Sequence, residues 1–419
     1  MQINWICSQL GAREHYAIPR ALSTSGKLSR LYTEFWAGAR LRQLSNMQIP
    51  SRLGPIRSLS TRYHPELNST PVTSWNFRAL YWEFAGRYLS QGRNTNNHYL
   101  RFIDIGRAFS VAVRDSLRLK QEISDKTVFF AYDTGALEAF EWLKNGSTRC
   151  VLGQMDPSRV EVKLVREEEK RWPGWQPQAT DVPEEYFRRR EREWELADEI
   201  LVNSEFTKRA LIEQGVNMEK IVIIPLCYEK DHREEVAFRM PTNNAPLRVL
   251  WLGQVILRKG IQYLIEAARL LGREKIHFDV VGPIGISTDA VASAPSNMTF
   301  HGRASRNQVG FWYRNADLFV LPTISDGFGL TQLEAMAHGL PVIATTNCGD
   351  VVSHEIDGMI VQSRNAIELA RAICRYRLEP QLLREHRFAA LTKAGKFSLT
   401  SLAQNLTRLE HVLLSKCRR

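Results

Sequence analysis

Short apolar runs alternate with polar, glycine-marked stretches along most of the chain. Residues 2–7, 127–131, 149–152, 199–203 and 221–224 read as buried strands, and 14–22 and 206–214 as helices. The first strand runs through Ser8-Gln9-Leu10-Gly11 into its helix, the strand, glycine loop and helix that open a doubly wound domain. Residues 75–90 set Trp75, Phe77, Arg78, Tyr81, Trp82, Phe84, Arg87 and Tyr88 at helical spacing, a pattern that suits a core face or a membrane-facing one. Residues 161–199 mix charge signs three and four apart, as solvated helices do, around the loop Trp172-Pro173-Gly174-Trp175-Gln176-Pro177.

Residues 229–246 are polar and broken by Pro241 and Pro246, which predicts a linker. The rhythm then restarts, with strands at 247–252, 277–281, 298–301, 318–321 and 341–344 and helices at 261–271, 309–315 and 330–338. Gly339 and Pro341 stop the last helix. The pattern predicts an α/β protein of two Rossmann-like doubly wound lobes, 1–228 and 247–395. The amphipathic tail, 396–419, is expected to form a helix that packs back on the first lobe.

Composition adds limits. Of 419 residues, 44% are hydrophobic and 24% charged, which suits a globular protein and excludes collagen-like or long disordered chains. Six cysteines, without a Cys-x-x-Cys pair, argue against a structural zinc site or a disulfide framework. The first residues lack a basic segment ahead of an apolar run, and no run is long enough to span a membrane. The expected compartment is the cytoplasm, with peripheral contact at the inner membrane face a further expectation. Residues 1–120 carry 17 Lys and Arg against 6 Asp and Glu, while the rest of the chain balances. That excess suits an anionic partner, such as a phosphorylated acceptor or an acidic membrane, as well as a merely soluble surface. No recognition motif for nucleic acid accompanies it.

The chemistry concentrates at Ser325-Asp326-Gly327-Phe328-Gly329-Leu330-Thr331-Gln332-Leu333-Glu334, where a strand ends and a helix begins. The glycines let backbone approach a ligand, and the helix start offers unsatisfied N–H groups to a phosphate or diphosphate. Glu334, one turn deeper, is placed to accept hydrogen bonds from a diol such as ribose. A bare Gly-x-Gly is usually an ordinary turn, but the whole run to Ala344 resembles the acidic signature of family 4 glycosyltransferases. Those enzymes have the two-lobed GT-B fold, with lobes facing across a cleft. In the resemblance Glu334 holds the ribose. The first acid of the family's Glu-x7-Glu pattern falls on Asp326, shorter by about 1.5 Å. The loop from Gly253 to Gly260 resembles the family's diphosphate loop. Lys259 takes the lysine position, Gln254 stands where the family has arginine, and Arg258 is the candidate replacement cation. Gly282 and Arg303 fall at strand ends near the donor base, and Gly11 in the first glycine loop.

The resemblance implies a transferase that moves a hexose-type sugar, with retention, from a nucleotide-diphosphate sugar to a sugar or lipid-linked acceptor in polysaccharide or glycolipid synthesis. It implies no metal and no other cofactor. Lys259, Arg258 and the amides of Gly327, Phe328, Gly329 and Leu330 are expected to steady the departing diphosphate, with Asp326 facing the sugar. Asp133 is a candidate to orient the sugar or act as a base, or else a turn-forming residue; His15 and Asp156 are candidate acceptor contacts. Two other readings remain: a binding protein that lost catalysis, suggested by Gln254 and Asp326, and a nucleotide-sugar epimerase on the same fold.

Overall fold

The computed structural model describes residues 3–39, 59, 62–81, 95–176, 180–229 and 245–416. Its first lobe is built on strands β1 (Asn4–Gln9), β2 (Leu28–Thr33), β3 (Val72–Ser74), β4 (Thr127–Tyr132), β5 (Arg149–Gly153), β6 (Glu199–Val202) and β7 (Ile221–Ile223). They lie in the order β3-β2-β1-β4-β5-β6-β7, and every pairing is parallel. All six residues of β4 are buried, as expected of a parallel strand covered on both faces. The two faces have separate cores: Trp5, Cys7, Phe130 and Tyr132 fill one, and Ile6, Phe129 and Ala131 the other.

The second lobe repeats the plan with β8 (Leu247–Leu252), β9 (Ile276–Val281), β10 (Met298–Gly302), β11 (Leu318–Leu321), β12 (Val342–Thr345) and β13 (Gly358–Val361), ordered β10-β9-β8-β11-β12-β13. Trp251 and Val320 point into one core and Leu250 and Phe319 into the other. In each sheet the chain winds outward both ways from a central pair, β1/β4 and β8/β11. The crevice at the carboxyl ends of such a pair is where this architecture binds ligands.

The C-terminal helix, Leu399–Lys416, lays Leu402, Leu406, Leu409 and Leu413 into the first lobe's core beside Trp5 and Ile18. Glu410 fixes it there, accepting from Trp5 Nε1 at 2.7 Å and pairing with Lys27 at 2.5 Å. No helix among the described residues is long and apolar enough to cross a membrane.

One predicted helix starts late. Residues 14–22 were expected to be continuous, but Glu14, His15 and Tyr16 take left-handed φ values of 51°, 53° and 61°, and the α-helix runs only over Ala17–Thr24. Three consecutive residues there are strained, and such strain collects at functional loops. Of the aromatic stretch, residues 76–81 are helical; Trp82, Phe84, Arg87 and Tyr88 lie outside the described residues, as do residues 230–244 of the linker and Pro177.

Candidate active site

The two loops that carry the chemistry leave β8 and β11, the switch point of the second sheet. The β8 loop closes with a short 3₁₀ turn, Leu257–Lys259, then Gly260 at φ 75°. A side chain at Gly260 would collide with the Pro322 carbonyl, so this glycine brings the two loops together. Lys259 thereby reaches Asp326, and the two form an ion pair that is mostly shielded from water. The Asp326 carboxylate also accepts the Gly329 N–H. Burial opposes its ionisation, but Lys259, Arg258 and the Gly329 amide outweigh burial and hold the carboxyl below the usual carboxylate range. Asp326 thus supplies the negative charge at a point built from a lysine and a helix start.

Helix Leu330–Ala337 begins at Gly329, φ 72°. Glu334 is half-buried on it, and its Oε2 accepts from the Tyr313 hydroxyl at 2.8 Å. Tyr313 itself stacks on His338, so the carboxylate is oriented from behind. The Phe328 ring departs from the donor contact expected of it. It is buried against Gly349 and Phe397, which leaves only its backbone for a ligand. Leu330 is half-buried. Gln254 and Arg303 are exposed at the rim. Gly282 has φ 147° and no room for a side chain against the Gly253 carbonyl, so it brings the ends of β8 and β9 together.

Arg258 is near enough to act on the Asp326 charge, but its hydrogen bonds go elsewhere. Its guanidinium donates to the Ser325 carbonyl at 2.8 Å and reaches Glu161 of the first lobe at 3.4 Å. Ser325 Oγ donates to the same Glu161 oxygen at 3.0 Å. The reason is local: Ser325 in the adjoining loop and Glu161 across the cleft offer Arg258 acceptors, whereas Asp326 is paired with Lys259.

The first lobe meets the second at other places as well. Ser204 Oγ donates to the Gly327 carbonyl at 2.7 Å, and the Glu205 N–H to Asp350 at 2.8 Å. On the other side, the buried Glu168 accepts from Gln262 at 2.9 Å and Tyr263 at 2.8 Å and pairs with Arg364 at 2.7 Å.

Within the first lobe, Asp133 and Asp156 share one guanidinium. Arg190, 1% exposed, donates to Asp133 at 2.5 Å and to Asp156 at 2.8 Å. Burial raises the Asp133 carboxyl, against the pull of Arg190. The candidate base and the candidate acceptor contact are therefore joined in one ion triad. His15 is exposed on the strained loop. The Gly11 N–H donates to Glu34 at 2.6 Å, and Glu34 pairs with Arg62.

Sequence reasoning placed Glu14 after the first glycine loop but gave it no role of its own. Its enclosed Oε1 has no hydrogen-bond partner, and Oε2 accepts from the Tyr132 hydroxyl at 3.2 Å. Burial pushes it up to about 7, against Arg13 and the Tyr132 bond. Nothing in an Arg-Glu-His-Tyr string announces a buried acid. Ser204, Glu161 and Tyr313 were missed for a different reason: their partners lie far away in sequence. Among the described residues no three His, Cys, Asp or Glu side chains gather as a metal site.

Two facing doubly wound lobes, with a helix-start loop at the switch point of the second, define a two-lobed α/β protein. Residues 246–377 match the family model of the glycosyl transferases group 1. The match falls on the second lobe and supports the resemblance to family 4 glycosyltransferases. Similar proteins include the N,N'-diacetylbacillosaminyl-diphospho-undecaprenol alpha-1,3-N-acetylgalactosaminyltransferase of Campylobacter jejuni, 27% identical over 166 residues, 38% of this chain and 42% of that one. A D-inositol 3-phosphate glycosyltransferase of an Arthrobacter species is 33% identical over 127 residues, 26% of this chain and 30% of its own. The chain spans half or less of the length of the curated relatives it matches. Among solved structures, Anabaena HepE in complex with UDP superposes with a TM-score of 0.61 at 14% identity, over 98% of this chain and 100% of that one. That likeness establishes the GT-B fold.

Proposed function

We infer that the chain is a glycosyltransferase that moves a hexose-type sugar from a nucleotide-diphosphate sugar to a sugar or lipid-linked acceptor with retention of configuration. The observation that carries this reading is the meeting of Lys259, the Gly329 amide and the start of helix Leu330–Ala337, with Glu334 one turn deeper. A diphosphate fits the first three, because a cation and an N–H meet the charge that grows as the sugar–phosphate bond breaks. Glu334, steadied by Tyr313, suits the two hydroxyls of a ribose. The relatives' names, two transferases of which one acts on a lipid-linked sugar, and a fold neighbour bound to UDP support the same reading.

For the diphosphate to reach Lys259, Asp326 must share or yield its cation. The same pair supports a second reading, a binding protein without turnover, in which Asp326 keeps the lysine occupied. Turnover separates the two. A panel of nucleotide sugars, starting with UDP sugars, is incubated with the protein and scored for donor hydrolysis and for transfer. Glu334→Gln is expected to raise the donor KM at least tenfold while kcat changes less. NMR of the released sugar should show the donor's anomer. Tight nucleotide binding with no turnover supports the second reading; sugar interconversion without an acceptor marks an epimerase. An unchanged donor KM in Glu334→Gln removes the ribose role and the reading with it.

A further inference from the structure

Helix Arg159–Arg171 of the first lobe turns one face to the second lobe. Glu161, Leu164 and Glu168, spaced three and four residues apart, share that face. Glu168 is buried among Gln262, Tyr263 and Arg364, and Leu164 packs against an apolar cluster of Tyr263, Ile324 and Ala366. Those contacts seat the helix on the second lobe and bring Glu161 to the donor loops. There one oxygen, Oε2, accepts from Arg258 at 3.4 Å and from Ser325 Oγ at 3.0 Å. These two residues directly precede Lys259 and Asp326, the pair at the diphosphate position. The backbones of the two loops are tied within the second lobe, where the Arg258 carbonyl accepts from the Ile324 N–H at 2.9 Å and from Thr323 Oγ1 at 3.1 Å. What Glu161 adds is a hold on their side chains.

We propose that Glu161 is a positioning residue for sugar transfer: it holds the Arg258 guanidinium away from Asp326, so that Lys259 stays the partner of Asp326 and can be handed to an arriving diphosphate; the proposal rests on the transferase reading. Arg258 is the competing cation. Its charge already acts on Asp326, and among the carboxylates that act on Arg258 the Asp326 group comes directly after Glu161. A half-buried guanidinium is stabilised by a carboxylate partner, so without Glu161 it turns to Asp326. Asp326 then lies between two cations. A diphosphate must exchange two charge-assisted contacts to displace it instead of one. Ser325 Oγ, bonded to the same Glu161 oxygen, fixes the direction in which that carboxylate points. Burial raises the Glu161 carboxyl, with the Asp156 and Asp326 charges adding to it, while Arg258 and the Ser325 bond oppose the rise. The two donors keep charge on Glu161, and Glu161 keeps the donors in place. Because the contact joins the lobes, Arg258 is held back only while the first lobe is docked.

The test uses the full chain, donor hydrolysis and calorimetric titration with UDP, GDP and ADP. Glu161→Gln keeps the length and an acceptor for Ser325 but loses the charge that holds Arg258. It is expected to raise the donor KM, and the Kd of the diphosphate that binds, by about tenfold or more, with kcat changed by less than about threefold. In an Arg258→Gln background the same substitution should change KM and Kd by less than about twofold, since no guanidinium is left to misplace. Tyr263→Phe, which loosens the other end of the same helix face, should leave both within about twofold of wild type. A Glu161→Gln protein with wild-type KM and Kd would overturn the proposal. So would an equal penalty in both backgrounds, or a matching penalty in Tyr263→Phe, either of which marks a docking contact and nothing more. Wild-type protein that binds none of the three diphosphates and turns over no nucleotide sugar removes the transferase reading, and this proposal with it. Wild-type binding that is indifferent to Glu161 removes this proposal alone.

Discussion

Gly327 offers a sharp probe of how the two lobes cooperate. Its φ lies outside the left-handed region, so alanine there adds no backbone strain. What alanine adds is a methyl aimed across the cleft. The new Cβ would overlap the Met155 carbonyl oxygen of the first lobe and stand 3.1 Å from that carbonyl's carbon and 3.2 Å from Asn203 Nδ2. Ordinary carbon contacts begin at about 3.5 Å, and the oxygen overlap is deeper, so the loop or the lobe must retreat by roughly 1 Å or more. The Ser204 bond to the Gly327 carbonyl, 2.7 Å, is lost in the retreat. The same loop carries Asp326 and Gly329, so the displacement is passed to the diphosphate site. A misplacement of about 1 Å at reacting groups costs on the order of 10²-fold in rate, or about 2.7 kcal/mol of barrier. Gly327→Ala is therefore expected to lower kcat/KM for transfer by about two orders of magnitude while each lobe remains folded. Ser204→Ala removes that hydrogen bond together with the cap that Ser204 Oγ places on the Thr207 N–H; the lost contact between the lobes should cost about 1 kcal/mol, or roughly fivefold in kcat/KM, and the lost cap should show separately as reduced stability. Steady-state kinetics with far-UV circular dichroism reads both. A Gly327→Ala enzyme within a factor of about two of wild type would show that the cleft does not close through this contact, and the argument from it would fail.

Two further substitutions test the buried charges. Glu14 titrates at about 7 in the folded chain against 4.5 for an ordinary glutamate, because burial disfavours its charge. Its contribution is present in full below about pH 4.5 and is lost as pH rises through about 7, so Glu14→Gln should match wild type near pH 4.5 and exceed it at pH 8 by up to about 3 kcal/mol. Urea titration at the two pH values measures this, and an equal difference at both would refute it. Arg190→Leu leaves Asp133 and Asp156 facing each other without their guanidinium, and should destabilise the lobe by roughly 3–5 kcal/mol at pH 7. The loss should shrink as pH falls, because burial favours the protonated form of Asp133; a melting temperature unchanged at pH 7 would show that the triad is not supporting the lobe.

The second lobe was the more legible half, for physical reasons. Its strands are near-continuous apolar runs, as in Leu318–Leu321, and its glycines mark real close approaches at Gly260, Gly282 and Gly329. In the first lobe, β2 hides behind Leu28, Ser29 and Arg30, of which none is fully buried, and β3 is only three residues long. Helix Thr95–Lys120 was not read although Ile103, Gly106, Phe109, Ser110, Val113 and Leu117 share a buried face, because two of those positions are glycine and serine and carry no apolar signal. The donor site's backbone was legible because it depends on local order: strand, glycine, helix start. Its side-chain partners were not, because each is brought in by topology. Tyr313 reaches Glu334 from a neighbouring helix, and Arg258 finds Glu161 only when the lobes face each other.

Asp326 shows how a one-carbon difference changes what a site does at rest. A glutamate at this position has the length to project its carboxylate toward a sugar. Aspartate is shorter by about 1.5 Å, and here its carboxylate turns back onto Lys259 and the Gly329 N–H. Without a ligand the pair neutralises a cation and a helix start that would otherwise face each other largely shielded from water. On the transferase reading, an arriving diphosphate replaces that internal anion rather than filling an empty positive site, and frees the Asp326 carboxylate from its lysine. The loop that makes this exchange is also the loop that Ser204 holds from the first lobe. On that reading the donor contact and the contact between the lobes meet in four residues, Asp326 to Gly329, and the shorter acid bears on how the donor is taken up.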